Sequence, residues 1–324
     1  MGRSMDDQMH IKLWGVRGSL PTPMSSSEYE TILSRALTEA RRLYQEDPSR
    51  TADQIFEAIP DPMKHVIGGE TTCIGVNYRN TAILIDLGTG SRKAGEALAK
   101  RQDLKDIHIL ITHTHWDHIQ GFPFFAPAMN PNMTLHFYSC VPDLHNRLIR
   151  QQHPDHHNIR FEELPCKTRF TTVKEGEPFQ VDDLKISAQP LIHPGGSTSY
   201  RMDKGNQKFV FATDTEFYGP ELSMLVRKYD EFFHKSDLLI IDAQYSLPEA
   251  EMKRGWGHTA MTIAVDCAMH WDIGRLGLTH HEPSHSDDTV RELFARAKEY
   301  LEANNPHQHR MELYLAREGD EYLL

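Results

Sequence analysis

The segment Thr112-His113-Thr114-His115-Trp116-Asp117-His118 places four metal-type donors within six positions. It directly follows an apolar run, Ile107 to Ile111, that reads as a buried strand. His113 and His115 are two apart, so in an extended chain their imidazoles leave on the same side. Asp117 and His118 carry the cluster round a turn. A lone histidine is usually a surface or packing residue; four donors at His-x-His-x-Asp-His spacing read as metal ligands. Three more donors stand where a strand meets a loop, the usual place for site residues. They are His193 before Pro194-Gly195-Gly196, Asp214 after Phe209–Thr213, and His280 after Leu276–Thr279. Taken singly, His193 is a turn histidine, Asp214 a helix cap, and His280 half of an exposed pair with His281. Together with the first four they make seven donors, enough for two ions. One ion with three protein ligands and water is a common catalytic arrangement, and two ions at about 3.5–4 Å can share a hydroxide and clamp the oxygens of an ester.

The elements that must position these donors follow from periodicity. Strands are expected over 11–16, 73–78, 81–86, 107–112, 134–138, 184–189, 199–202, 208–213, 237–242 and 275–279, with 311–315 as the last. Helices are expected over 92–100, 220–233, 259–270 and 287–302. A further helical stretch, 24–66, interrupts the early strands. Its two segments open on capping boxes, Ser25 with Glu28 and Thr51 with Gln54, and the second stops at Pro60. Surface packing is its plain role; a lid or a homodimer contact is the alternative. Strands in groups, then covered by helices, argue for packed sheets with outer helices in a single domain, 9–324.

Composition excludes several classes. A chain of 324 residues can bury a full core without disulfides. Its four cysteines, Cys73, Cys140, Cys166 and Cys267, form no Cys-x-x-Cys pair, which suits reduced thiols and a cytoplasmic location. No apolar run approaches the roughly 18 residues of a membrane helix, and the opening MGRSMDDQMH is too polar for a signal peptide. The 35 Lys+Arg against 46 Asp+Glu leave a net charge of −11, which weighs against a large nucleic acid as partner. A small anionic substrate remains compatible. Two divalent ions bring four positive charges, and Asp117, Asp214 and a hydroxide remove only three, so the cluster stays locally positive. Twenty histidines first suggest metal; spacing selects which of them matter.

The His-x-His-x-Asp-His stretch, with Asp86 upstream and His193, Asp214 and His280 downstream in order, resembles the metallo-β-lactamase-fold hydrolase superfamily. The resemblance covers the chain from about residue 11 onward, apart from 24–66. It implies an α+β fold, the four-layer αββα sandwich, with the site at the edges of the two sheets. It implies that His113, His115 and His193 hold one ion and Asp117, His118 and His280 the other, with Asp214 between them. Asp86 would be a carboxylate that orients ligands. Zinc is the favoured metal, with manganese and iron as alternatives, since His/Asp sites accept all three.

Within this superfamily the ligands alone do not choose the substrate. An aspartate at 214 is unlike true β-lactamases, and a histidine at 115 is unlike the redox branch. Gly255-Trp256-Gly257-His258-Thr259-Ala260 resembles the His-Thr-Ala segment of the phosphodiesterase branch, which includes tRNA 3′-processing endonucleases. There His258 would stabilise the transition state or protonate the leaving oxygen; its plain reading is a helix N-cap. The opening Trp14-Gly15-Val16-Arg17-Gly18-Ser19 and Gly68-Gly69-Glu70-Thr71-Thr72-Cys73 are similar to cyclic-nucleotide-phosphodiesterase-like members. Arg17, Thr71 and Thr72 would then approach phosphate oxygens, unless they merely shape turns. Trp116 and Phe122 are candidate contacts to a base, while Phe124 or Phe125 suits the core. No long Gly- and Lys-rich arm of the tRNA-gripping kind is present. The expected function is therefore hydrolysis of a small phosphodiester, such as a cyclic nucleotide, by a metal-bridging hydroxide. A thioester or lactone hydrolase on the same metals is the alternative, and a non-catalytic ligand sensor a more distant one.

Overall fold

In the computed structural model the described residues are 7–305 and 311–324. The first sheet contains β1 (His10–Gly15), β2 (Cys73–Tyr78), β3 (Thr81–Ile85), β4 (Asp106–Leu110), β5 (Thr134–Ser139) and β6 (Lys167–Thr172). The second contains β7 (Phe179–Val181), β8 (Leu184–Leu191), β9 (Ser197–Lys204), β10 (Gln207–Ala212), β11 (Leu238–Asp242), β12 (Arg275–Thr279) and β13 (Glu312–Leu315). The last strand, β14 (Glu321–Leu323), returns to the first sheet. The orders are β14-β1-β2-β3-β4-β5-β6 and β13-β12-β11-β10-β9-β8-β7.

Each sheet is antiparallel in one part and parallel in another. β3 to β6 run parallel, as do β10 to β13. Parallel strands covered on both faces should be apolar throughout, and β3 and β11 are buried at every position. The pleat sends alternate side chains to different cores. Ile83 and Ile85 of β3 join the large core with Phe209, Phe211 and Ile186, whereas Ala82 and Leu84 join a second core with Leu98, Ile107 and Phe125.

The helices are α1 (Ser26–Glu46), α2 (Ala52–Ala58), α3 (Gly90–Leu98), α4 (Trp116–Ile119) and α5 (Leu144–Gln151). They continue with α6 (Leu222–Lys228), α7 (Asp230–Phe233), α8 (Leu247–Met252), α9 (Met261–His270) and α10 (Asp287–Asn304). α3 packs on the first sheet, and α9 packs on β11 and β12 and against α10. This is the expected arrangement of two sheets flanked by helices. No helix among the described residues is long and apolar enough to cross a membrane.

α1 and α2 stand between β1 and β2, and both expected capping boxes form: Ser25 with Glu28, and Thr51 with Gln54. α1 buries only Leu43; Tyr29, Leu33, Leu37 and Tyr44 are exposed. Ion pairs Arg35–Asp288 at 3.0 Å and Arg317–Asp61 at 3.1 Å fasten this region to the body.

The structure differs from the expectation in places. The 220–233 helix is two pieces, α6 and α7. β6, β7, α5 and α8 lie where no element was expected. β6 (KTRFTT) is a mostly exposed edge with no apolar alternation to read. The strand at 311–315 is followed by β14, whose three residues carry no period.

Candidate metal centre

The donors gather at the carboxyl ends of parallel strands from both sheets. Asp86 follows β3, residues 113–118 follow β4, Asp214 follows β10, Asp242 ends β11 and His280 follows β12. Ligands favour this edge of open α/β sheets because neighbouring strands part there. Asp86, Asp214 and His280 hold left-handed φ angles of 61°, 55° and 63°. Such non-glycine conformations cost about 1–3 kcal/mol each and persist where the surroundings dictate them. They turn the three side chains out of their strands toward one another.

Two donor sets form, each drawn from both sheets. His113, His115, His193 and Asp214 make one, and Asp117, His118, Asp214 and His280 the other; within a set the ligand atoms lie within 4.8 Å of one another. Asp214 faces both. Its Oδ1 lies 3.5 Å from Nε2 of His113 and of His193. Its Oδ2 lies 3.0 Å from His118 Nε2 and 3.2 Å from His280 Nε2. Asp117 Oδ2 lies 3.0 and 3.2 Å from the same two nitrogens. His115 presents Nδ1, 3.1 Å from His193 Nε2.

Behind His113, His118, His193 and His280 stands a group that fixes which nitrogen is free. His118 Nδ1 donates to Asp86 Oδ2 at 2.8 Å. The Thr112 hydroxyl donates to the same carboxylate at 2.7 Å and accepts from His113 Nδ1 at 3.1 Å. His193 Nδ1 donates to the Gly257 carbonyl at 3.0 Å, and His280 Nδ1 to Gln244 Oε1 at 3.0 Å. The Ser19 backbone N–H donates to Asp117 Oδ2 at 2.8 Å. Gly18 allows that approach, since a Cβ there would lie 2.4 Å from His280 Nδ1.

These residues fit divalent ions. Nε2 of His113 and of His118 is buried without a hydrogen-bond partner, which is costly unless a ligand completes it. Burial works against charge on Asp117 and Asp214, yet the surrounding imidazoles outweigh it and hold both carboxyls well below the usual range. Burial likewise pushes the imidazoles down, but the two carboxylates lift His118 well above its usual value and His280 to about 9. The cluster thus gathers positive charge, as protons or as metal.

His258 stands beside both sets. Its ring centroid is 5.3 Å from that of His193 and 5.0 Å from that of His280. Its Nδ1 donates to Asp242 Oδ2 at 2.7 Å. Asp242, His258 and His280 also form a compact trio of donors. We read this trio as a hydrogen-bonded backing: His258 Nδ1 is taken by Asp242 and His280 Nδ1 by Gln244, whereas the orphaned nitrogens belong to the other two sets.

Asp242 and Gln244 escaped the sequence reading. Asp242 also accepts from the backbone N–H of Asp214 at 3.1 Å and of Thr259 at 3.1 Å. A signal existed: Leu239-Ile240-Ile241-Asp242 repeats the pattern of Ile83-Leu84-Ile85-Asp86.

The proposed phosphate contacts fare differently. Arg17 is buried, and its guanidinium donates to Asp287 at 2.6 Å, the Gly68 carbonyl at 2.9 Å and the His285 carbonyl at 3.0 Å. It ties β1 to the start of α10 and does not reach the donor sets. Burial lowers its pKa despite Asp287. Thr71 is also buried; its hydroxyl accepts from the Thr89 N–H at 2.9 Å and from Gln120 at 3.2 Å, which makes it part of a turn. Thr72 is buried beside it, and its carbonyl accepts from Gly88. Phe122 is corrected outright. It is 1% exposed and packs on Phe137 and Phe161 in the second core, because the turn after α4 points it inward. Phe125 is buried as well, while Phe124 is exposed. Trp116 is 63% exposed at the start of α4, between two ligands.

Comparison with known proteins gives the family and the fold. Residues 81–281 match the family described as a beta-lactamase superfamily domain. Ribonuclease Z of Thermoplasma acidophilum is 25% identical over 296 residues, covering 75% of this chain and 89% of that protein. Ribonuclease Z of Prochlorococcus marinus MIT 9313 is 27% identical over 150 residues, so the chain spans only 42% of that relative's length. Among solved structures, the metallo-beta-lactamase fold protein YhfI from Bacillus subtilis superposes with a TM-score of 0.63 at 18% identity, covering 98% of this chain and all of that one. Yeast PDE1 superposes with a TM-score of 0.62 at 12% identity, covering 98% and 99%.

Proposed function

We propose, for a chain that belongs to the family of beta-lactamase superfamily domains, that its paired donor sets hydrolyse phosphodiester bonds. The chain is a hydrolase of the metallo-β-lactamase fold. His113, His115, His193 and Asp214 would hold one divalent ion, zinc being the favoured metal, and Asp117, His118, Asp214 and His280 the second. When bound, such ions supply an activated water and neutralise charge developing on a transferred phosphoryl group.

The observation that carries the reading is His258 held by Asp242 beside both sets. Because Nδ1–H is committed to Asp242, Nε2 is the nitrogen left for a substrate. Protonated there, it contacts a phosphoryl oxygen or gives its proton to the departing alkoxide. A thioester's thiolate needs no such acid, so this residue favours an oxygen leaving group. Asp86 and Thr112 keep His113 and His118 in register, and Gly257 does so for His193. Asp117 and Asp214 would supply negative charge toward the cations.

The substrate we favour is a small phosphodiester, a cyclic nucleotide being the simplest case, on account of the net charge of −11. The Thermoplasma relative named Ribonuclease Z supports a second reading, in which the diester lies in an RNA.

The test is a panel of bis-aryl phosphate, cyclic nucleotides, a tRNA with a 3′ extension, a glutathione thioester and an acyl-lactone. Phosphodiester turnover should appear. His258→Ala should lower it about 10²–10⁴-fold, the usual contribution of an acid–base group, with metal content retained. Turnover of the thioester or lactone alone would overturn the reading.

A further inference from the structure

A cationic, aromatic recess adjoins the metal loop. Thr114, between His113 and His115, and Trp116, at the start of α4, line a cavity of about 380 Å³ with Arg147, Arg150 and His156. α5 provides both arginines, three apart, on one helical face. Arg147 is half-buried, and one of its nitrogens donates to Thr114 Oγ1 at 2.7 Å. Among the described residues no carboxylate forms an ion pair with it, although this protein has an excess of acidic residues. Arg150 is exposed and has only Asp143, at 3.9 Å. A guanidinium partly removed from water, steadied by a neutral hydroxyl and lacking a counterion, is poised to meet an external anion. The indole beside it offers a stacking face.

We propose that this recess is a subsite for a second phosphate of the substrate, one nucleotide away from the bond that is cut, with a base stacked on Trp116. The inference rests on the phosphodiesterase reading and narrows it: a mononucleotide cyclic diester has a single phosphate and leaves the recess empty, whereas a nucleotide diester with a flanking phosphate fills both places. Thr114 links the two, since its backbone lies between ligands His113 and His115 while its hydroxyl holds Arg147.

Binding to the full-length, metal-loaded protein tests this without turnover. Adenosine 5′-monophosphate and adenosine 3′,5′-bisphosphate are titrated by calorimetry, and a trinucleotide with a terminal phosphate serves as the RNA-like arm. The bisphosphate should bind about tenfold or more tightly than the monophosphate, as expected for one charge-assisted contact. Arg147→Gln keeps a donor for Thr114 and should remove that preference. Arg150→Gln, at an exposed site, should reduce it and flatten its salt dependence. Trp116→Leu should weaken both nucleotides. Equal affinities in the unaltered protein, or a preference that survives both arginine substitutions in folded protein, would overturn the proposal. Given that preference, a trinucleotide that binds more tightly still than the bisphosphate places the flanking phosphate in an RNA end; one that binds no more tightly shows that a small nucleotide suffices. A preference seen without any phosphodiester turnover would leave the subsite standing and remove the catalytic reading instead.

Discussion

At the scale of single residues, hydrogen bonds behind the donors hold their rings in place. Asp86 receives His118 directly and His113 through Thr112. Asp86→Asn keeps the size but removes the charge and one acceptor. It should lower metal affinity or turnover about 10–100-fold, the usual effect of losing such support, measured by metal titration beside the kinetics. Phe122 gives the opposite outcome. Phe122→Ala should cost about 3–5 kcal/mol of stability through the cavity it leaves, read by denaturant unfolding, with the metal content of the folded fraction unchanged. A loss of substrate affinity without loss of stability would restore Phe122 to the site. The seven donors were legible in sequence because type, spacing and strand ends coincide over short stretches. That Arg17, Thr71 and Phe122 are buried was not legible, because closeness in sequence to a site says nothing about which way a side chain is turned. Asp242 and Arg147 were missed because their partners lie in distant segments.

At the scale of elements, loops after strands do the positioning, and Gly257 leaves little tolerance beside His193. Its φ of +91° suits glycine, and a Cβ there would stand 2.1 Å from His193 Nδ1. Gly257→Ala should displace His193 and drain the His113/His115/His193 set more than the other. Elemental analysis should then show loss of about one ion of two per chain, the number that two donor sets imply, and retention of both would contradict the geometry. Strongly apolar strands and helices, such as β3, β11 and α9, were readable. β6 and β14 were not, because an exposed edge and a three-residue strand are specified by their neighbours rather than by their own pattern.

At the scale of the whole molecule, each donor set joins residues of the first sheet to residues of the second. Filling the sites should therefore stabilise the pairing of the two sheets as well as the loops. Stripping the ions with a chelator should lower the melting temperature by several degrees, and restoring them should reverse the change. An unchanged melt with proven metal loss would show that the sheets hold without them. The sandwich itself was legible from grouped strands and covering helices.

The placement of β14 has one more consequence, and it concerns synthesis. β14 pairs with β1, joining His10 to Glu321 across 311 positions. A growing chain must therefore present β1 with its outer edge unpaired until nearly the last strand has been made. Such long-range closure slows folding, and a waiting edge can recruit a wrong strand. The polar Lys12 and His10 on that edge, which later meet Glu321, give the nascent strand charge and solubility while it waits.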